Sequence, residues 1–157
     1  MNSLVIYGSR HGNTRKLAEA IAAELRKHGA AQLMSAEEVP SVLPERTDLV
    51  VVGGPTEAHR MTEPVKELFA RLGKGALIGI KAAAFDTRLR WPKWLSGSAG
   101  SGIVKALERA GAGVFAPEVS FYVSGNLPVL EPGELERAAA GAASLAARLE
   151  SRVPVEA

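Results

Sequence analysis

Residues 4–14 read LVIYGSRHGNT, an apolar run that leads into a polar loop with two glycines. Beyond the loop, Leu17, Ile21 and Leu25 recur at four-residue spacing, which is typical of the buried face of an amphipathic helix. A strand that passes through a short loop directly into a helix is the opening unit of an α/β fold. The sequence therefore predicts a strand over 4–7 and a helix over 13–28.

The same alternation continues along the chain. Residues 48–53 read DLVVVG, and this β-branched run indicates a strand buried on both faces of a parallel sheet. Residues 86–97 read as a long polar loop. The last helix is rich in alanine and is expected to carry Leu135, Leu145 and Leu149 on one side. The other predicted elements are strands over 31–34, 77–85 and 114–123, the last interrupted at Pro117, and helices over 62–73, 98–110 and 132–149.

Regular alternation of strands and helices predicts a parallel sheet with right-handed crossovers and helices on both faces. We expect an α/β, three-layer doubly wound sandwich whose five-stranded parallel sheet has the order 2-1-3-4-5. The 157 residues fit a single domain over 1–152, followed by a short tail at 153–157. Ligands of such sheets bind outside the carboxyl ends of the strands, between the first and third strands.

Composition excludes several classes of protein. Hydrophobic residues make up 46% of the chain and charged residues 23%, as in ordinary globular domains. The chain shows neither a membrane-length apolar run nor the pattern of a signal peptide, so we expect a cytoplasmic protein. There is no cysteine for a thiolate, and the three histidines lack the spacing of metal ligands. The net charge of +2 is spread along the chain, which does not favour nucleic-acid binding.

The first loop carries the strongest chemical signal. A helix N-terminus presents unpaired backbone N–H groups and a positive dipole end, which together suit a phosphate. Ser9 and Thr14 offer hydroxyl donors, Gly12 permits a close turn, and Asn13 is a good capping residue. One interpretation is a phosphate site, and the other is ordinary N-capping by Asn13 or Thr14.

Two loops resemble those of a known family. Residues 9–14, SRHGNT, are similar to the phosphate loop of the flavodoxin family, which follows the pattern Ser/Thr-x-Ser/Thr-Gly-x-Ser/Thr. Residues 53–59, GGPTEAH, resemble the flavin loop of that family, commonly Gly-x-Pro-Thr. The resemblance covers essentially the whole chain and implies FMN as the cofactor, although His11 stands where the family prefers a hydroxyl residue. It implies that the phosphate is held by Ser9, Arg10, His11, Gly12, Asn13 and Thr14.

The resemblance also implies where the flavin ring lies, because the family holds it between the loops after the third and fourth strands. Trp91 is a candidate cover for the ring, or else it packs its own loop onto the domain. An arginine near the reducible edge of the ring would raise the reduction potential, and Arg88 is the candidate. The residues implied to flank the ring are Pro55, Thr56, Glu57 and Ala58 in one loop and Asp86, Thr87 and Arg88 in the other.

Other functions of similar sheets do not fit. A phospho-receiver needs acidic residues after the first and third strands, a small tyrosine phosphatase needs a cysteine, and a dinucleotide fold needs G-x-G-x-x-G in its first turn. Two interpretations remain: an FMN-binding electron carrier or small reductase without an assigned catalytic residue, or a flavin-free module for phosphate ligands or protein interaction. A basic rim would select an acidic redox partner. The basic residues expected there are Arg10, His11, Arg15, Lys16, His59, Arg60, Arg88, Arg90 and Lys93.

Overall fold

The computed structural model of the chain describes residues 1–57 and 60–151. Ala58 and His59, and the predicted tail at 153–157, lie outside the described residues. The strands are β1 (Asn2–Tyr7), β2 (Ala30–Ser35), β3 (Leu49–Pro55), β4 (Lys81–Leu89), β5 (Gly113–Val114), β6 (Val119–Ser124) and β7 (Val129–Leu130). The helices are α1 (Asn13–Leu25), α2 (Glu63–Leu72), α3 (Lys93–Ser96), α4 (Ala99–Arg109) and α5 (Glu134–Glu150), and a 3₁₀ turn (Arg26–His28) extends α1.

One sheet in the order β2-β1-β3-β4-β6-β7 forms the middle layer, and β5 also pairs with β4. The predicted doubly wound order is confirmed, because β5 and β6 are two parts of the fifth strand and both run parallel to β4. The predicted count of five strands is wrong: the sheet within the described residues has seven. The fifth strand divides around Pro117, which cannot donate a hydrogen bond to a ladder, and β7 adds an antiparallel hairpin partner to β6.

Each face of the sheet packs against two of the longer helices. On one face, alternate strand residues such as Ile6 and Val52 share a core cluster with Leu68 of α2 and Ile103 of α4. On the other face, Val5 packs with α1 and α5, and the rings of Phe85 and Phe121 meet edge to face at 5.9 Å. Burial on both faces explains the continuous apolar run that marks β3 in the sequence.

The fourth strand differs from its prediction. It runs from Lys81 to Leu89, so Asp86, Thr87 and Arg88 belong to a strand and not to a loop. All three side chains are buried. Polar residues remain in this strand because β3 and β6 pair with its backbone on either side and because their side chains find polar partners inside the domain. The predicted loop also contains the short helix α3.

The most buried residues of α5 are alanines and not the leucines named from the sequence. Ala138, Ala142 and Ala146 are buried, Leu145 and Leu149 are half-buried against the core, and Leu135 is 41% exposed. These alanines share a core cluster with Ala18 and Ala22 of α1. Small side chains on both helices let their backbones approach closely.

The described residues contain neither a helix long and apolar enough to cross a membrane nor a group of three residues suited to hold a metal ion.

Candidate functional site

A cleft of about 400 Å³ opens at the carboxyl ends of the inner strands β1, β3 and β4. This is the position that the doubly wound topology predicts for a ligand. Four chain segments form it: the β1–α1 loop, the end of β3, the end of β4 and the β6–β7 turn. Its lining residues are Arg10, His11, Asn13, Thr14, Pro55, Thr56, Glu57, Thr87, Arg88, Leu89, Val123, Gly125, Asn126 and Pro128.

The first loop reaches the cleft through a left-handed glycine. Gly12 caps α1 with φ of 84°, a conformation that costs an L-residue energy but is free for glycine. Its N–H donates to the Ser9 hydroxyl oxygen over 3.0 Å. Within the described residues, the N–H groups of Asn13, Thr14 and Arg15 have no hydrogen-bond acceptor. These N–H groups form a donor cluster at the positive end of the α1 dipole.

Two other glycines hold the loops of β1 and β3 together. The N–H of Gly8 donates to the carbonyl oxygen of Gly53 over 2.9 Å. A Cβ on Gly8 would lie 2.7 Å from Val65 of α2, and a Cβ on Gly53 would lie 2.0 Å from the Phe85 ring. The glycines therefore allow the loops and the neighbouring side chains to approach more closely than any other residue would permit.

The Thr14 hydroxyl lies inside the cleft floor. Its Oγ1 is 3.3 Å from Oγ1 of Thr87, and either hydroxyl could donate to the other. Thr14 is 1% exposed and Thr87 is 4% exposed, so the pair is shielded from water. The structure thus brings together one residue assigned to the phosphate and one assigned to the ring.

The β6–β7 turn supplies a wall of the cleft that sequence reasoning missed. Gly125, Asn126 and Pro128 of this turn line the cleft. Asn13 donates its side-chain amide to the carbonyl oxygen of Pro128 over 2.8 Å, so this side chain anchors the turn. The adjacent Gly125 and Asn126 are a turn signal that could have revealed the hairpin.

Asp86 is fully buried and is directed to the start of α4. One carboxylate oxygen, Oδ2, accepts hydrogen bonds from the Ser98 hydroxyl, the Gly100 N–H and the Thr56 hydroxyl, at 2.7, 2.9 and 3.2 Å. Thr56 also accepts from the N–H of Ala99. Asp86 therefore does not line the cleft, and it acts on the cleft by fixing Thr56, which does.

Arg88 lines the cleft floor, although it is only 8% exposed. Its guanidinium donates to the Ser120 hydroxyl and to the Trp91 carbonyl oxygen, at 2.9 and 2.6 Å, and its Cζ lies 5.2 Å from the Tyr122 ring centre. Among the described residues, no carboxylate forms an ion pair with Arg88. The Trp91 side chain is 53% exposed and does not line the cleft.

Much of the basic rim is paired with acidic side chains. Arg10 contacts Glu57 across the cleft mouth at 3.2 Å. Three more of the basic residues form ion pairs, which reduces the attraction that the rim exerts on a distant acidic surface. These pairs are Arg15 with Glu19, Arg90 with Glu131 and Lys93 with Glu118.

Comparison with solved structures shows a common fold. The chain is similar to a flavodoxin from the domain Archaea, with 20% identity and a TM-score of 0.70 over 96% of this chain and 99% of the other. Flavodoxin 2 from Bacillus cereus gives 18% identity and a TM-score of 0.77 over 94% and 99% of the two chains. Rubredoxin oxygen:oxidoreductase from Desulfovibrio gigas gives 18% identity and 0.75 over 98% of this chain but only 37% of that one.

Comparison by sequence matches the chain to one family model. No curated protein matches the chain. The family model of the flavodoxin domain matches residues 4–89, which include the first loop, β3 and β4. This match spans more than half of the 157 residues, and the strand order agrees with it. The chain is therefore a member of the flavodoxin domain family.

Proposed function

We propose that this chain binds FMN in the cleft and transfers electrons, as a carrier or as a small reductase. The observation that carries the proposal is the donor cluster at the N-terminus of α1. Three N–H groups without acceptors among the described residues lie beside the Ser9 and Thr14 hydroxyls, at one end of a cleft of about 400 Å³. Such a cluster suits a phosphate group, because it offers donors and a positive dipole end to an anion.

The residues present fit the two ends of FMN. In this proposal the phosphate group is held by the first loop, and the ring lies between the β3 end and the β6–β7 turn. Pro55, Leu89, Val123 and Pro128 give the cleft apolar surface for a flat ring. The bound flavin would supply the electron-transfer chemistry, and the chain would bind it, orient it and exclude water. The proposed phosphate residues are Ser9, Arg10, His11, Gly12, Asn13 and Thr14. Those proposed near the ring are Pro55, Thr56, Glu57, Ala58, Thr87 and Arg88, with Asp86 acting through Thr56.

Arg88 gives the proposed site an electrostatic bias. Its buried guanidinium bonds neutral oxygens, so its positive charge has no direct carboxylate partner among the described residues. A positive charge in a water-poor site favours a negatively charged ligand. We therefore expect Arg88 to raise the reduction potential of bound FMN, since reduction adds negative charge to the ring.

A redox partner protein completes the proposal. We expect its docking face to be acidic, because Lys16, Arg60 and His11 remain exposed near the cleft without an ion pair to a described residue. The attraction should be modest, since four other basic residues are already paired.

A second function is a flavin-free module for phosphate ligands. It is favoured by one observation: among the described residues, no phenylalanine, tyrosine or tryptophan side chain lines the cleft. In that case the α1 N-terminus would bind the phosphate group of another ligand, and the cleft would not hold a flavin ring.

The test is a visible absorption spectrum of the purified protein before and after incubation with FMN and removal of the excess. Retained FMN, with a flavin spectrum shifted from that of free FMN, supports the proposal. A colourless protein that does not bind FMN refutes it and leads to screening of other phosphate compounds. Thr14→Ala should weaken FMN binding by about 1 kcal/mol or more, because it removes a hydroxyl donor.

A further inference from the structure

Two threonine hydroxyls meet in the floor of the cleft, although 73 residues separate them in sequence. Thr14 belongs to the first turn of α1, and Thr87 belongs to β4. Their Oγ1 atoms are 3.3 Å apart, and both residues line the cleft. Each hydroxyl finds its only described partner in the other, so they form an isolated pair.

The pair has two possible hydrogen-bond directions, and an anion selects one of them. A hydroxyl has one proton to donate and two lone pairs to accept with. When Thr87 donates to Thr14, the Thr14 proton is left for a third group. A phosphate oxygen only accepts, so an anion at the α1 N-terminus requires that the Thr14 proton face it.

Ser9 already shows the same arrangement. Its Oγ accepts a hydrogen bond from the N–H of Gly12 over 3.0 Å, which leaves the Ser9 proton available. When Thr87 is the donor of its pair, both hydroxyls of the first loop accept from within the protein and have a proton to offer outward. Such preorganisation favours a phosphate group over a neutral ligand.

We propose that Thr87 is a positioning residue for the phosphate group: its hydroxyl donates to Thr14 Oγ1 and turns the Thr14 proton towards the phosphate. The inference rests on the proposed FMN function and deepens it. The resemblance to the family implies that Thr87 flanks the flavin ring. The present proposal gives it a different role, which is to orient a residue of the phosphate site.

The inference makes a specific prediction about two ligands that differ only in the phosphate group, FMN and riboflavin. Thr87→Val keeps the shape of the side chain and removes the hydroxyl. It should raise the Kd for FMN by about fivefold to tenfold, because a charge-assisted hydrogen bond loses its orientation. It should leave the Kd for riboflavin within about twofold, because riboflavin has no phosphate to hold.

The experiment measures both dissociation constants by quenching of flavin fluorescence, for the wild type, Thr14→Val, Thr87→Val and the double variant. Thr87 acts through Thr14, so the double variant should bind FMN no more weakly than Thr14→Val alone. Thr87→Ser restores the hydroxyl and should recover most of the FMN affinity. Thr47→Val is the matched control. The Thr47 hydroxyl donates to the Pro44 carbonyl oxygen just before the amino end of β3, whereas the cleft lies at the carboxyl end of that strand.

Three outcomes would overturn the inference: equal weakening of FMN and riboflavin, additive effects of the two valines, or no effect of Thr87→Val. Equal weakening of FMN and riboflavin binding would mean that Thr87 contacts the part of the ligand that both share, such as the flavin ring. If the wild type binds neither ligand, the proposed FMN function fails instead, and this result is distinct from the other three. Should Thr87→Val fail to fold, Thr87→Ala compared with Thr87→Ser measures the same hydroxyl, and equal FMN affinity of these two variants would refute the inference.

Discussion

The side-chain amide of Asn13 donates to the carbonyl oxygen of Pro128 over 2.8 Å and joins two parts of the chain that are 115 residues apart. Asn13 begins α1 directly after the first loop, and Pro128 belongs to the β6–β7 turn. The turn forms a wall of the cleft. Order in the wall and order in the first loop are therefore coupled through one hydrogen bond.

Asn13→Ala should lower the free energy of unfolding by about 1 kcal/mol and speed amide hydrogen exchange in residues 125–131, because the turn loses its anchor. Denaturant unfolding and exchange followed by mass spectrometry measure the two effects. Asn2→Ala is the matched control: its amide donates to the Arg46 carbonyl oxygen at an exposed site. Unchanged exchange in the turn of Asn13→Ala would contradict the anchoring role.

Gly12 should tolerate asparagine better than valine. Its φ of 84° strains a β-branched residue, whereas asparagine enters the left-handed region with several-fold greater frequency than most residues. A Cβ at Gly12 meets no atom within 4 Å, so the cost is in the backbone and not in a clash. Gly12→Val should weaken FMN binding and lower stability by about 1–2 kcal/mol, with a smaller effect for Gly12→Asn. Equal loss in both variants would point to a steric cause.

Asp86 should be important for stability although it does not line the cleft. Asp86→Ala leaves the donors of Ser98, Gly100 and Thr56 without their acceptor and should lower the free energy of unfolding by about 2–4 kcal/mol. Asp86→Asn keeps an acceptor oxygen and should lose less. Asp48→Ala serves as the control, because the carboxylate of Asp48 accepts from the backbone of Asn2 at an exposed site. Thermal unfolding of the three variants measures these differences. Equal stability of Asp86→Ala and Asp48→Ala would rule out a special contribution of Asp86 to stability.

Stability should fall in acid through Glu134. The hydrogen bond from Arg137 holds the pKa of the Glu134 carboxyl below its ordinary value of 4.5, and the N–H of Tyr122 acts in the same direction. The folded state therefore binds this proton less readily than the unfolded state. The resulting stabilisation is complete above the unfolded pKa and is lost as the pH falls through the folded pKa.

The measurement is denaturant unfolding of the wild type and Glu134→Gln between pH 7 and pH 3. The difference in stability between the two should shrink as the pH falls below the ordinary carboxyl pKa. A difference that stays constant across this range would mean that the Glu134 charge contributes nothing.

Ser3 should be replaceable by alanine without loss. Its hydroxyl is buried in β1 and finds no hydrogen-bond partner among the described residues. A buried unpaired hydroxyl costs free energy, so Ser3→Ala should leave the free energy of unfolding unchanged or raise it by up to about 1 kcal/mol. A loss of more than about 1 kcal/mol on denaturant unfolding would show that the hydroxyl has a partner.

Local patterns in the chain were enough to predict the fold class, the strand order and the loop that begins α1. Short-range physics governs these features: apolar periodicity marks the buried faces, and the glycine-containing loop lies next to the residues that it serves. The same patterns misplaced the end of β4, because Asp86, Thr87 and Arg88 read as loop residues when taken alone. Their burial depends on partners such as Ser98, Thr14 and Ser120, which come from other elements.

The composition of the cleft floor and its third wall depended on contacts between distant segments. Thr14 with Thr87, and Asn13 with Pro128, are pairs that no periodicity connects, since each partner lies on a different element. The alanine face of α5 has the same origin, because side-chain size at a helix contact follows the distance between the two backbones. Propensity and periodicity act over a few residues, whereas hydrogen-bond pairing and close packing are settled only when the sheet brings the chain segments together.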